Sequence, residues 1–340
     1  MDATNHEVRS GVVGMRRRTF LELMAGTLAL GVSQGCAGRS GQGGAPRAHG
    51  PLDATAWRAE RRYLETRFGR IAYVERGTGA AALFLHGFPL NGFQWRGAIE
   101  RLSAHRRCVA PDFLGLGYTE VAESQSYAPS EQVDMLVTVL DKLSISTVDV
   151  VANDSGGAIA QLFVTRHPDR VRTLLLTNCD VETECPPAAV LPVIEMARKG
   201  AYVDQWLAPW LADKALARSD QGIGGMTYTR PAELSDEAIE TYFAPLVRSP
   251  RGRDQVHAYT LALEANSLAG IGPALARSTV PTRILWGTGD TIFSQSSADH
   301  LDRAFGNSRG VRRVPGARLF FPEEYPDLIA EEARALWGVR

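Results

Sequence analysis

Short apolar, β-rich runs alternate with helical stretches from about Arg61 to the C-terminus, and this alternation restricts the fold more than any other feature of the chain. The pattern predicts strands over 63–68 and 71–75, joined by a turn at Gly69, and then over 82–86, 108–110, 148–152, 171–177, 282–286 and 311–314. Helices are predicted over 95–103, 130–143, 158–166 and 327–337. Strands that take turns with helices build a mostly parallel central sheet with helices on both faces, an α/β fold. Between 181 and 250 the alternation stops, and Tyr202, Trp206, Trp210, Tyr228, Tyr242 and Phe243 lie among helical stretches broken at 222–225. The simplest organisation is an α/β core made of 51–180 and 251–340, with a helical cap inserted over 181–250.

The first fifty residues have a different character. Met15, Arg16, Arg17 and Arg18 precede an apolar, small-residue segment over 23–32, and Gly- and Ser-rich sequence follows to Gly50. A basic region, an apolar region and a small-residue exit are the parts of an export signal with its linker. Arg17 and Arg18, followed by Thr19-Phe20-Leu21, resemble a twin-arginine signal, which implies a bacterial protein placed outside the cytoplasm. Cys36 is a candidate lipidation site and so a candidate membrane attachment, with simple cleavage nearby as the alternative. With 340 residues, 44% hydrophobic, 22% charged and a net charge of -1, the chain has no electrostatic footprint for nucleic acid. Its four cysteines have irregular spacing, which makes neither a disulfide framework nor a metal site.

The apolar run Val150-Val151-Ala152 leads into Asn153-Asp154-Ser155-Gly156-Gly157. A small residue, any residue, a nucleophile, any residue and glycine, set at a sharp strand-to-helix turn, form a nucleophile elbow. Two registers fit: Asp154 between Ala152 and Gly156, or Ser155 between Asn153 and Gly157. The first fits better, because Asn153 is large for a crowded turn. A second motif, His86-Gly87-Phe88-Pro89, closes an earlier strand, and Pro111-Asp112-Phe113-Leu114-Gly115-Leu116-Gly117 follows the next one.

These three motifs, in this order, resemble the α/β-hydrolase superfamily, and the aspartate in the elbow resembles its haloalkane dehalogenase and epoxide hydrolase group. The resemblance runs from about Arg61 to Trp337, leaving out most of the cap. It implies an α/β-hydrolase fold and a hydrolase of a small apolar epoxide, halide or ester, with no metal and no organic cofactor. Asp154 would attack an sp3 carbon to form a covalent ester that water then hydrolyses. The backbone N–H groups of Phe88 and Ser155 would form the oxyanion hole.

Asp290, in Trp286-Gly287-Thr288-Gly289-Asp290, stands where the group carries its catalytic acid. The histidine should follow the next strand, but the loop Val314-Pro315-Gly316-Ala317-Arg318-Leu319 places Leu319 at that position. Leucine accepts no proton, so the usual water-activating step has no visible base. Glu323, Glu324, His167, His257 and His300 are weak substitutes, and Asp180 is a further candidate acid. Ser155 and Phe88 also replace the residues that would hold a halide. His86, Trp95, Tyr202, Tyr228 and Tyr242 are the candidate pocket residues, with the cap tyrosines in place to protonate an opening epoxide. Two rival readings stay open: a Ser155-dependent esterase, and a catalytically silent relative that binds a small ligand.

Overall fold

The computed structural model describes residues 50–339 except residue 123. The expectations placed on the export signal, its twin arginines and Cys36 lie outside the described residues. Nine strands form one sheet: β1 (Arg62–Thr66), β2 (Gly69–Arg76), β3 (Ala81–Leu85), β4 (Arg107–Pro111), β5 (Glu120–Val121), β6 (Val148–Asp154), β7 (Val171–Cys179), β8 (Thr282–Gly287) and β9 (Ser308–Val314). Their order is β1-β2-β4-β3-β6-β7-β8-β9, with β5 paired to β2. β1, β2 and β5 pair antiparallel, β2 meets β4 antiparallel, and every pair from β4 to β9 is parallel.

Every residue of β3 and of β6 is buried, as expected of central strands covered on both faces. Their Val and Leu side chains each contribute roughly 1.5–3 kcal/mol by leaving water. Asp149 of β6 breaks this apolar pattern in sequence but not in the fold: it is buried, and Arg106, Arg172 and Thr173 hold its carboxylate at 2.8, 2.7 and 2.9 Å. Helices α1 (Arg96–Leu102), α2 (Pro129–Lys142) and α3 (Ser155–Arg166) belong to the first half of the core. α2 packs on α3, whereas α1 packs on a helix near the C-terminus, Pro326–Trp337.

Helices replace strands between β7 and β8. α4 (Leu191–Arg198), α5 (Asp236–Val247) and α6 (Pro250–Ala262) are the longest of them. The cap boundary expected at residue 250 falls at the start of α6. Ser249 caps α6 by accepting from the Gly252 N–H, and Pro250 occupies the first turn, where its missing N–H costs nothing. That proline therefore starts another helix of the insertion, and α6 packs on both α4 and α5. Beyond β8, α7 (Gln295–Ala304) precedes β9, and α8 (Pro326–Trp337) closes the chain.

Candidate active site

β6 turns into α3 at Asp154, whose φ of 55° and ψ of -132° place a non-glycine residue in a backbone region that costs about 1–3 kcal/mol. Ser155 is already the first residue of α3. The strain therefore falls on Asp154, which selects the register with the aspartate at the apex. The small residues that follow are required by close approach. A Cβ on Gly156 would lie 2.5 Å from the His86 carbonyl oxygen, and one on Gly157 would lie 2.3 Å from the Cys179 Cβ. Sharp turning and tight packing together project the Asp154 side chain beyond the carboxyl ends of the strands.

The Phe88 N–H donates to Asp154 Oδ2 at 2.6 Å, and the Ser155 N–H is close enough to this carboxylate to favour its charged form. The two amides expected to form an oxyanion hole thus face the aspartate itself. Behind them lies a buried relay of amides. Gln94 Oε1 accepts from the Gly87 N–H at 2.9 Å, and Gln94 Nε2 donates to Asn153 Oδ1 at 2.7 Å. Asn153 Nδ2 donates to Thr177 Oγ1, the Asn178 carbonyl and the Leu319 carbonyl at 2.9, 3.1 and 3.1 Å. Asn153 is therefore no misfit in a crowded turn; it ties the elbow to three neighbouring segments.

Asp154 faces a narrow cavity whose walls include Phe88, Ser155, Asp180, Cys185, Tyr259 and Phe293. Asp180, just after β7, is buried and lines the same cavity, with Cys185 beside it, whose Sγ lies 3.8 Å from Ser267 Oγ. Burial pushes Asp180 up to about 7. Burial first, and then the neighbouring Asp180 charge, push Asp154 well above the carboxylate range, against the pull of its two amide donors. Two carboxyls facing one small cavity titrate as a pair, so the charge on one disfavours the charge on the other.

Tyr259 on α6 lines the opposite wall, where its hydroxyl lies 3.1 Å from Ser155 Oγ and its ring stacks on Phe88 at 5.6 Å. Ser155 Oγ is thus engaged by a phenol. Sequence reasoning missed Tyr259 because it lies past the expected cap boundary. Asp180 had a signal, since ligands of parallel sheets collect outside the carboxyl ends of strands.

The other expected pocket residues do not line this cavity. His86 is fully buried with both ring nitrogens used: Nδ1 donates to the Gly87 carbonyl at 2.9 Å, and Nε2 accepts from the Phe113 N–H at 3.1 Å. Burial lowers it to about 4, so it is a neutral strut. Trp95 packs against Phe84 in the core at 5.8 Å. Tyr202 is buried beside Phe88 at 5.8 Å, where burial and then the nearby Asp154 charge push its hydroxyl up, although the cavity wall does not include it.

Tyr228 and Tyr242 are likewise away from the cavity. Their hydroxyls donate to Glu323 Oε2 at 2.6 and 2.9 Å, and Arg96 donates to Glu323 Oε1 at 2.6 Å. Their value as proton donors to a substrate is lost because the same hydroxyls satisfy a buried carboxylate. Glu323 and Glu324 are occupied too, the latter by the N–H groups of Thr229 and Arg230.

Asp290 follows β8 and accepts from Asn178 Nδ2 at 2.6 Å and from the Ile292 N–H at 2.8 Å. Burial raises it to about 6. Leu319 follows β9, its side chain buried in the hydrophobic core. Among the described residues, none of His86, His105, His167, His257 and His300 lines the cavity at Asp154. His257, for example, accepts from the Val203 N–H at 3.3 Å. Cys108, Cys179 and Cys185 are free thiols.

Residues 83–325 match the α/β hydrolase fold family. Haloalkane dehalogenase 2 of Mycobacterium bovis is 27% identical over 292 residues, covering 80% of this chain and 92% of that protein. Epoxide hydrolase 3 of Mus musculus is 27% identical over 280 residues, covering 76% of this chain and 71% of that protein. The solved structure of a haloalkane dehalogenase from Bradyrhizobium elkani superposes with a TM-score of 0.65 at 23% identity, covering 82% of this chain and 97% of that chain. The chain belongs to the α/β hydrolase fold family and is a hydrolase like the haloalkane dehalogenases and epoxide hydrolases.

Proposed function

We propose that the protein hydrolyses a small apolar substrate through a covalent ester on Asp154. The observation that carries this reading is the Phe88 N–H on Asp154 Oδ2 at 2.6 Å, with the side chain at a strained apex that faces a cavity. One carboxylate oxygen is held where the oxyanion will form, and the other is left to attack an sp3 carbon. A serine mechanism has less support, because Ser155 Oγ bonds to Tyr259 and, among the described residues, meets no histidine. An unactivated hydroxyl is a weak nucleophile.

An epoxide suits this cavity better than a halide. Ser155 and Phe88 bring no side-chain N–H to hold a departing halide, whereas the Tyr259 hydroxyl and the Asp180 carboxyl both offer a proton to a departing oxygen. The haloalkane dehalogenase and the epoxide hydrolase found as relatives bracket this substrate class. Leu319 in place of a catalytic histidine means that release of the ester needs another base. The basic and then apolar residues 16–32 support action outside the cytoplasm.

Turnover of 1,2-epoxybutane by Asp154→Ala and Ser155→Ala tests the assignment. Loss of turnover in Asp154→Ala with turnover retained in Ser155→Ala agrees with it. The reverse pattern would transfer the nucleophile to Ser155.

A further inference from the structure

The site holds a nucleophile and an oxyanion hole, yet among the described residues no histidine lines the cavity, so the proton that must leave the attacking water has no obvious destination. Asp180 is the one other carboxyl on the cavity wall among the described residues. It is 7% exposed, it directly follows β7 beside the elbow, and the strand register places Cys179 opposite Asp154. The groups around it are Asp154 on the elbow, Cys179 on β7, Glu184 and Cys185 on the following loop, and Tyr259 on α6. No cation is among them, and the Cys185 thiol is a weak donor. Nothing there locks the carboxyl in one charge state as a structural ion pair would.

We propose that Asp180 does both halves of the proton transfer: as an acid it protonates the oxygen of the opening epoxide, and as a carboxylate it then takes the proton from the water that cleaves the Asp154 ester. This assignment rests on the reading of Asp154 as nucleophile. In the first step an Asp154 oxygen bonds to an epoxide carbon, the ring C–O bond breaks, and the Asp180 proton moves to the freed oxygen. In the second step water adds to the ester carbonyl carbon and gives its proton to Asp180, while the amides of Phe88 and Ser155 hold the oxyanion. Collapse breaks the ester bond to the substrate oxygen, which takes the proton back from Asp180 and leaves as a diol. The carboxyl pair then again holds one proton, now on Asp154, and transfer between the two restores the start. One epoxide and one water give one diol with no proton gained or lost, so an epoxide fits this cycle and a halide, which leaves an acid behind, does not.

The test is rapid-quench intact-mass measurement of wild type, Asp180→Asn, Asp180→Glu and Tyr259→Phe with 1,2-epoxybutane and, separately, 1-bromobutane. Bromide leaves without a proton, so Asp180→Asn should be alkylated by 1-bromobutane at no less than the wild-type rate, and its ester should then decay about 10²–10⁴ times more slowly. Alkylation of the same variant by 1,2-epoxybutane should be slowed, Asp180→Glu should recover part of the decay rate, and wild-type decay should rise with pH through about 7. Decay in Asp180→Asn as fast as in wild type would overturn the base assignment. Slow epoxide alkylation in Tyr259→Phe together with wild-type alkylation in Asp180→Asn would overturn the acid half. An ester that forms on wild type and never decays would also overturn the proposal, while no ester from either probe would overturn the Asp154 reading beneath it.

Discussion

Asp180→Asn should make the protein more stable, and by an amount that depends on pH. The carboxyl of Asp180 titrates near 7 in the fold against an ordinary value of 3.8, because burial disfavours its charge. A carboxyl whose value is raised by folding binds more protons in the native state than in the unfolded chain throughout that window. Stability is therefore lost as pH rises from about 4 to about 7, and the full cost remains above 7. Each pH unit well inside the window is worth about 1.4 kcal/mol and the slope halves on reaching 7, so between pH 5 and pH 7 the wild type should lose about 2 kcal/mol relative to Asp180→Asn. That corresponds to roughly 3–4 °C in Tm for a chain of this size. Taking the difference between the two proteins cancels other titrating groups except Asp154, which is relieved of a neighbouring charge in the variant and so adds to the gain. Urea denaturation of both proteins across this pH range reads the effect. Parallel stability curves would refute the reasoning, since they would mean that Asp180 is charged at no cost in the fold.

Two further perturbations separate the elbow from the contacts that hold the insertion. Gly156→Ala places a methyl group 2.5 Å from the His86 carbonyl and 2.6 Å from that of Leu85; we expect a loss of several kcal/mol, about the upper end for single substitutions, read as a lower urea midpoint. Glu323→Ala strands Arg96 and two tyrosine hydroxyls in a buried site, and the loss should be about 3–5 kcal/mol. Because Glu323 does not face the cavity, the soluble fraction of that variant should still form the Asp154 ester.

Much of the core was legible because its signals are local. The apolar run before Asp154 is long enough only for a buried strand, and β6 extends the expected 148–152 by two residues to the strained apex. Gly156 and Gly157 announced a close approach that the His86 carbonyl and Cys179 supply. Partners that meet only in space were less legible. Asn153 reads as too large for its turn until Gln94, Thr177, Asn178 and Leu319 are seen to take up its amide. Tyr228 and Tyr242 carry the residue type of a proton donor, and nothing local discloses that Glu323, some eighty to ninety-five residues away, uses both hydroxyls. Tyr259 was hidden by Pro250, which starts a helix of the insertion and reads in sequence as the end of it. Short elements such as β5 carry too few residues for any period to register.

The covalent ester on Asp154 is the claim on which the rest depends, and a single turnover in heavy-oxygen water tests it most directly. An excess of protein reacts once with 1,2-epoxybutane, after which the peptide carrying Asp154 and the diol are both weighed. If water cleaves the ester at its carbonyl carbon, the label enters the Asp154 carboxylate and the first diol carries the ordinary oxygen that Asp154 gave it. Label found in the first diol and absent from Asp154 would mean that water attacks the substrate directly, and would contradict the account.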